Sequence, residues 1–183
     1  MRAPRLVDLS HTITSDMAQW PSDRQPLKLH RRSLHGTDSH MSSSLEIGCH
    51  VGTHIDAPLH FSEDGTSVDE IPVSDLVAPL CVIDIARRAE EDADTQVTPD
   101  DIRAWIAAHG DIPDGACVAM HSGWASKVDG DGFRNFDGKA QHYPGFHVEA
   151  AQMLVEETGA RSLAVDTLSL DHGISADFAT HYA

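Results

Sequence analysis

The feature that most constrains the fold is a regular alternation of apolar strand segments and helical segments through the C-terminal two thirds of the chain. The apolar runs predict buried strands at residues 79–86, 116–120 and 163–165. Helical patterns lie between them, one starting at Thr98 and one over residues 148–157. A β-α-β-α-β order favours crossover connections and parallel strand pairing. The sequence therefore predicts an α/β fold.

The first of these helices has an unusually clear start. Thr98 is a suitable N-cap, Pro99 fits the first helical position, and Asp101 is an acid at the third position. Gly110 marks the predicted end. The face predicted to be buried carries Ile102, Trp105 and Ile106.

The N-terminal third shows a different pattern. Short alternations of apolar and polar residues predict strands at residues 5–9, 27–30 and 41–49. No repeat or linker interrupts the sequence, and 183 residues suit one compact domain. The expectation is a single domain over residues 1–183 with a β-rich N-terminal part.

Charge excludes several classes of partner. The chain has 29 acidic and 13 basic side chains, which gives a net charge of −16 at pH 7. Such a surface repels both phosphate backbones and anionic lipid headgroups, so neither nucleic acid nor a membrane is an expected partner. Thirteen histidines equal the number of lysines and arginines, and they direct attention to a metal or acid–base site.

The cysteines and the N-terminus bear on the compartment. Cys49, Cys81 and Cys117 form no C-x-x-C pair, and two of them lie in apolar runs, which favours buried free thiols. The first residues lack the apolar core of a signal peptide, and no apolar run is long enough to span a membrane. A cytoplasmic protein is expected.

Residues 50–60 carry the strongest functional signal, with the pattern H-x-G-T-H-x-D-x-P-x-H. Three imidazoles and one carboxylate within eleven positions form a donor set that suits Zn²⁺ first, while Mn²⁺ or Fe²⁺ also fit. Three surface histidines clustered by chance are the alternative, and the combined pattern makes it the weaker one.

The spacing requires a bend within this run. On a straight strand His50 and His54 would lie roughly 13 Å apart, too far for one ion. Gly52 lies between them and tolerates the backbone angles of a tight turn. With a turn there, residues four apart approach to chelating distance, and Asp56 adds an anionic donor.

This run resembles the signature of the metal-dependent cyclase family, which includes bacterial kynurenine formamidase and isatin hydrolase. Further segments resemble that family in the same order along nearly the whole chain. They are Asp8-Leu9-Ser10-His11 with Trp20-Pro21, His121-Ser122-Gly123-Trp124, Tyr143-Pro144-Gly145-Phe146, and the segment from Val165 to Asp171.

The resemblance implies a fold and a set of site residues. It implies that His50, His54 and Asp56 bind a metal, that His60 is the catalytic histidine, and that His181 binds a second metal. One or two divalent ions per chain are therefore expected. The family's last ligand, a glutamate further along, has no counterpart, so the expectation is a family domain that lacks its C-terminal end. A homodimer or tetramer is also implied.

The roles of single residues leave alternatives open. His60 is the candidate acid–base group, and a third metal ligand is its alternative. His181 is either a ligand or a frayed terminal residue. Asp166 and Asp171, where strand meets loop, suit partners of metal ligands or capping residues. Two roles fit three large rings equally, lining an aromatic substrate pocket or packing in the core, and these rings are Trp20, Phe61 and Trp124.

The predicted function is metal-dependent hydrolysis of a C–N amide bond in a small aromatic substrate. A bound metal lowers the pKa of water and polarises a carbonyl, and a histidine carries the proton to the leaving nitrogen. An aryl formamide such as N-formylkynurenine is the first candidate, and a cyclic amide such as isatin is the second. A metal-binding but inactive homologue that acts as a structural dimer is the rival from another class.

Overall fold

The computed structural model describes residues 6–20, 22 and 27–183, which form two compact units, Met1–Ile55 and Asp56–Ala183. In the first unit, β1 (Lys28–Ser33) pairs with antiparallel β2 (Ser42–Glu46). The strands expected at 27–30 and 41–49 are thus confirmed with shifted ends. That the two units constitute one domain stays a prediction.

The strand expected at residues 5–9 is wrong for residues 6–9, which have no regular structure, while residue 5 lies outside the described residues. Asp8 explains the difference, because its side chain accepts a hydrogen bond from the Ser10 amide at 2.9 Å. A local bond of this kind satisfies the backbone without a partner strand. Alternation over so few residues is also a weak strand signal.

The second unit contains a parallel sheet and four helices. The sheet has the order β3-β5-β7, formed by β3 (Leu80–Asp84), β5 (Cys117–His121) and β7 (Ser162–Ala164). A second parallel pair joins β4 (Gln96–Val97) and β6 (Gly145–Phe146). The helices are α1 (Ala86–Glu91), α2 (Pro99–His109), α3 (Val148–Glu157) and α4 (Ala179–Tyr182). The predicted α/β fold is confirmed.

The helix predicted after Thr98 is confirmed with its cap. Asp101 accepts the Thr98 amide at 2.8 Å, which together with the Thr98 side chain forms a capping box, and α2 ends at His109 with Gly110 as its C-cap. Ile102 is fully buried, whereas Trp105 and Ile106 pack against the core while partly exposed. The helix predicted at 148–157 has the same bounds in the structure.

Four short elements, α1, β4, β6 and α4, were not predicted, and two of them show why. The apolar run at 79–86 ends as a strand at Asp84, because its carboxylate accepts the Ala86 amide at 2.9 Å and turns the chain into α1. The other is β4, which consists of two residues and gains its pairing from β6, far away in sequence. Neither element is visible in the sequence as a local periodic pattern of apolar residues.

The core of the second unit lies between its sheet and its helices. It is formed by the inward residues of β3 and β5 and by apolar residues of α2 and α3, including Ile83, Val118, Ile102 and Leu154. All three cysteines lie in the described part of the chain and are free thiols, with Cys81 buried, Cys117 half-buried and Cys49 exposed. Among the described residues, no helix has the length and apolar character needed to cross a membrane.

Gly145 on β6 is required by close backbone packing. A Cβ atom there would lie 2.3 Å from the backbone nitrogen of His172 and 2.6 Å from the backbone carbon of Asp171. We therefore expect Gly145→Ala to lower the free energy of unfolding by at least about 2 kcal/mol in urea denaturation. Gly130→Ala is the control, since its nearest neighbour would be 4.0 Å away, and a change within about 0.5 kcal/mol is expected. Equal effects of both variants would contradict the steric argument.

The long segment between β5 and β6 is ordered by polar contacts. It contains two single-turn 3-10 helices, Trp124–Lys127 and Asp131–Phe133. His142 lies near its end, with Nδ1 2.8 Å from Asp94 Oδ2 and Nε2 3.5 Å from Asp137 Oδ2. The hydrogen bond to Asp94 raises the pKa of His142, burial opposes the shift, and the Asp137 charge adds to it. Protonated His142 therefore ties this segment to the turn at Asp94.

The raised pKa makes this tie dependent on pH. A histidine whose pKa is raised in the folded state stabilises the fold below its unfolded pKa of about 6.5, and this stabilisation is lost as the pH rises through the folded pKa. The difference in unfolding free energy between wild type and His142→Gln should be largest near pH 6 and shrink at higher pH. Asp94→Asn should remove the same pH-dependent contribution to the unfolding free energy. A difference between wild type and His142→Gln that does not change with pH would contradict the stabilising role of the protonated ring.

Candidate metal centre

The bend predicted within residues 50–54 is confirmed. Gly52 has φ +73°, in the left-handed region that glycine adopts without strain. The His50 and His54 ring centroids lie 5.3 Å apart with their planes at 80°, in place of the separation of roughly 13 Å expected for a strand. The turn therefore brings two imidazoles of the first unit side by side.

The surroundings of His54 fix its orientation. Its Nδ1 lies 2.8 Å from the Gly52 carbonyl oxygen, which can only accept, so Nδ1 carries the proton and Nε2 carries the lone pair. This is the arrangement in which a histidine coordinates a metal while a backbone carbonyl holds the other nitrogen. The neighbouring Thr53 accepts the His11 amide through Oγ1 at 3.0 Å, which ties the turn to the start of the chain.

Asp56 and His60 lie at the start of the second unit, Asp56 before a 3-10 turn at Pro58–His60 and His60 at the end of that turn. A carboxylate oxygen of Asp56 and a ring nitrogen of His60 lie within 4.8 Å of each other. The turn packs tightly, because a Cβ on Gly65 would lie 2.5 Å from the Pro58 carbonyl carbon. Both side chains are exposed. The donor types of the run, imidazole and carboxylate, suit a divalent metal.

Aromatic rings surround Phe61, which follows His60. Its centroid lies 4.6 Å from that of His60 and 4.3 Å from that of His181. Phe178 and Tyr182 pack on the same ring at 5.4 and 5.3 Å. Phe61 thus links His60 to α4, within the second unit.

Phe178 and Tyr182, which pack on Phe61 together with the predicted site residue His181, were not predicted from the sequence. Phe178 has φ +53°, an uncommon conformation for a residue with a side chain, and it precedes α4 as its N-cap. Its contact with Phe61 across more than a hundred residues had no local signal. Such strained residues concentrate at functional sites.

His181 is held firmly, so its description as a frayed terminal residue is wrong. Its Nδ1 lies 2.5 Å from Asp171 Oδ2, and the side chains are 9% and 5% exposed respectively. Burial raises the pKa of Asp171, but hydrogen bonds from His181 and Thr180 outweigh this and lower it overall. The carboxylate form is therefore favoured. Asp171 therefore holds the His181 ring in place, and metal binding by His181 stays a prediction.

The two tryptophans proposed for substrate contact differ in exposure. Trp20 is half-buried in the first unit. Trp124 is 1% exposed, its Nε1 donates to the Phe133 carbonyl at 2.7 Å, and Lys127 Nζ lies 3.2 Å from its ring centroid. These contacts match the packing alternative for Trp124, and substrate contact by Trp20, Phe61 or Trp124 stays a prediction.

Asp166 anchors the segment that follows β5. Its carboxylate accepts the Ser122 hydroxyl at 2.6 Å and the Trp124 amide at 3.0 Å. The Ser122 amide also donates to it. This matches the structural alternative, in which Asp166 caps a chain turn.

Comparison with known proteins decides the family. The model of the Cyclase family matches residues 7–172, which include the run at 50–60 and Asp171. The chain belongs to the cyclase family. The resemblance identified from the sequence motifs is confirmed.

Several relatives of this cyclase-family chain have names that describe their chemistry. It is 36% identical over 119 residues to an isatin hydrolase of Roseibium aggregatum, covering 62% of the chain and 45% of that protein. It is 32% identical over 85 residues to a kynurenine formamidase of Salinibacter ruber, covering 46% of the chain and 40% of that protein. The matched segments thus span less than half the length of these relatives.

Solved structures give a fuller overlap. Isatin hydrolase A from Labrenzia aggregata, bound to benzyl benzoate, superposes with a TM-score of 0.88 at 33% identity, covering 97% of the chain and 75% of that structure. An isatin hydrolase bound to the product analogue thioisatinate gives a TM-score of 0.84 at 28% identity, covering 96% and 73%. The cyclase-family fold therefore extends over almost the whole chain.

Proposed function

We propose that the protein is a metal-dependent hydrolase that cleaves a C–N amide bond in a small aromatic substrate. The observation that carries the proposal is the bend at Gly52, which pairs His50 with His54 within the family's signature run. Asp56 follows two residues after His54 and completes a donor set of two imidazoles and a carboxylate. We propose Zn²⁺ first and Mn²⁺ second.

The proposed roles follow from the side chains. A divalent metal held by His50, His54 and Asp56 would polarise the amide carbonyl and lower the pKa of a nearby water. His60 takes a proton from the attacking water, whose oxygen forms the new bond to the carbonyl carbon. His60 then gives that proton to the amide nitrogen as the C–N bond breaks, which yields an amine and a carboxylic acid that releases its proton to solvent at neutral pH. Phe61 holds the His60 ring by edge-to-face contact at 4.6 Å.

The substrate candidates differ in support. The sequence match to an isatin hydrolase covers 62% of the chain at 36% identity, whereas the sequence match to a kynurenine formamidase covers 46% at 32% identity. We therefore place a cyclic aromatic amide of the isatin type first. An aryl formamide such as N-formylkynurenine, the first candidate from the sequence, becomes the second.

The first experiment measures metal per chain by elemental analysis on untagged protein purified without chelator or added metal. About one ion or more per chain is expected, and a substrate assay then compares isatin with N-formylkynurenine. Faster hydrolysis of N-formylkynurenine would reverse the order of the substrates. Protein that is folded but contains no metal, does not bind added Zn²⁺ or Mn²⁺ and hydrolyses neither compound would favour the rival proposal of an inactive structural dimer.

Two further properties complete the proposal. We propose a homo-oligomer, dimer or tetramer, as the family resemblance implies, and a cytoplasmic location. Sedimentation velocity tests the first, and fractionation of cells that express the native gene tests the second.

A further inference from the structure

The Asp171 carboxylate is shared between the backbone of α4 and the imidazole of His181. Its Oδ1 accepts the Thr180 amide at 2.8 Å, and its Oδ2 accepts the His181 amide at 3.3 Å. Oδ2 also lies 2.5 Å from His181 Nδ1. One buried carboxylate therefore fixes both the helix and the ring that the helix carries.

The direction of the side-chain bond follows from this arrangement. A carboxylate can only accept, so His181 Nδ1 must be the donor and carry the proton. In the neutral ring the lone pair then resides on Nε2. The ring packs 4.3 Å from Phe61, which in turn contacts His60. The Phe61 ring thus contacts both His181 and the proposed acid–base residue.

We infer that Asp171 is a positioning residue, which holds His181 in the Nδ1–H tautomer and leaves the lone pair of Nε2 available to a ligand. The inference rests on the proposed function in one respect only, which is that the ligand of Nε2 is a divalent metal. Thr180 strengthens the arrangement, because its hydroxyl donates to the Phe146 carbonyl at 2.9 Å and anchors α4 on β6. Both the place and the tautomer of His181 are therefore set by contacts within the second unit.

Asp171→Asn tests the inference through the tautomer. The Thr180 amide donates to Oδ1 at 2.8 Å, whereas the His181 amide donates to Oδ2 only at 3.3 Å. The amide oxygen of asparagine should therefore take the Oδ1 place, so that its NH₂ group faces His181 Nδ1 and donates to it. Nδ1 must then accept, and the proton moves to Nε2. Nitrogen-15 NMR of the full chain at pH 8 should report the Nδ1–H form in wild type and the Nε2–H form in Asp171→Asn.

Zinc binding gives a second measurement that needs no turnover. Titration with Zn²⁺ alone should show affinity that is 10- to 100-fold weaker in Asp171→Asn, the range expected when the partner of a ligand histidine is altered. Ser175→Ala is the matched control, since its hydroxyl lies 3.5 Å from Asp171 Oδ1 and does not touch the ring bond. This control should keep both the tautomer and the affinity.

The outcomes separate the inference from the proposed function. An Nε2–H tautomer in wild type would overturn the inference without any variant, so the test survives if Asp171→Asn does not fold. An Nδ1–H form retained in Asp171→Asn with unchanged zinc affinity would overturn it as well. The expected tautomers in a protein that hydrolyses no amide would support the positioning role and count against the proposed function alone.

Discussion

Replacement of His54 by alanine is expected to abolish metal retention. His54 is oriented by the Gly52 carbonyl so that Nε2 carries the lone pair, and its ring lies beside that of His50. Zinc sites built from four ligands bind with about 10–16 kcal/mol, so removal of one ligand should cost about 3 kcal/mol, or more than 100-fold in affinity. Elemental analysis after gel filtration in chelator-free buffer measures the result.

His40→Ala is the matched control for this variant. His40 is an exposed histidine of the same unit whose Nδ1 lies 3.3 Å from the hydroxyl of its neighbour Ser39. It should keep the wild-type metal content. A His54→Ala protein that retains full metal would contradict the ligand assignment, whereas loss of metal in both variants would indicate general damage to the unit.

Replacement of His60 by alanine is expected to keep the first metal and lose most turnover. General acid–base catalysis contributes about 10²–10⁴-fold, so kcat should fall by that factor on whichever amide the wild type hydrolyses. Leu59→Ala is the control, since Leu59 is an exposed neighbour on the same turn. Metal content and kcat are to be measured on the same preparations.

The metal content decides between the two roles left open for His60. Its ring nitrogen lies within 4.8 Å of an Asp56 oxygen, a distance that suits either a ligand or a proton carrier beside one. Loss of the metal together with turnover would make His60 a third ligand. Full metal and full activity would remove it from the mechanism altogether.

Features governed by neighbouring residues were predictable from the sequence. The start of α2 follows from the Thr98 hydroxyl, the proline after it and the Asp101 carboxylate, which interact within four residues. The bend at Gly52 follows from ligand spacing and one conformational preference. In both places the physical cause lies within the segment that it shapes.

Features that depend on residues distant in the sequence were not predictable. The Asp171–His181 bond joins residues ten apart through a chain reversal, and Phe61 meets Phe178 across the second unit. The two-residue strand β4 exists because β6 supplies its hydrogen bonds. Such contacts are determined by packing of the whole unit, and no local pattern records them.

The anchoring of the segment after β5 separates variation of sequence from loss of stability, two changes that often occur together in proteins. Asp166 clamps its beginning at Ser122 and Trp124, and His142 fastens its end to Asp94. Substitutions at exposed positions in the stretch between these anchors, other than at Asp137, which itself contacts His142, leave the hydrogen bonds of both anchors intact. This stretch is therefore a region in which evolution, or a designed library, can vary sequence while the sheet beneath keeps its stability.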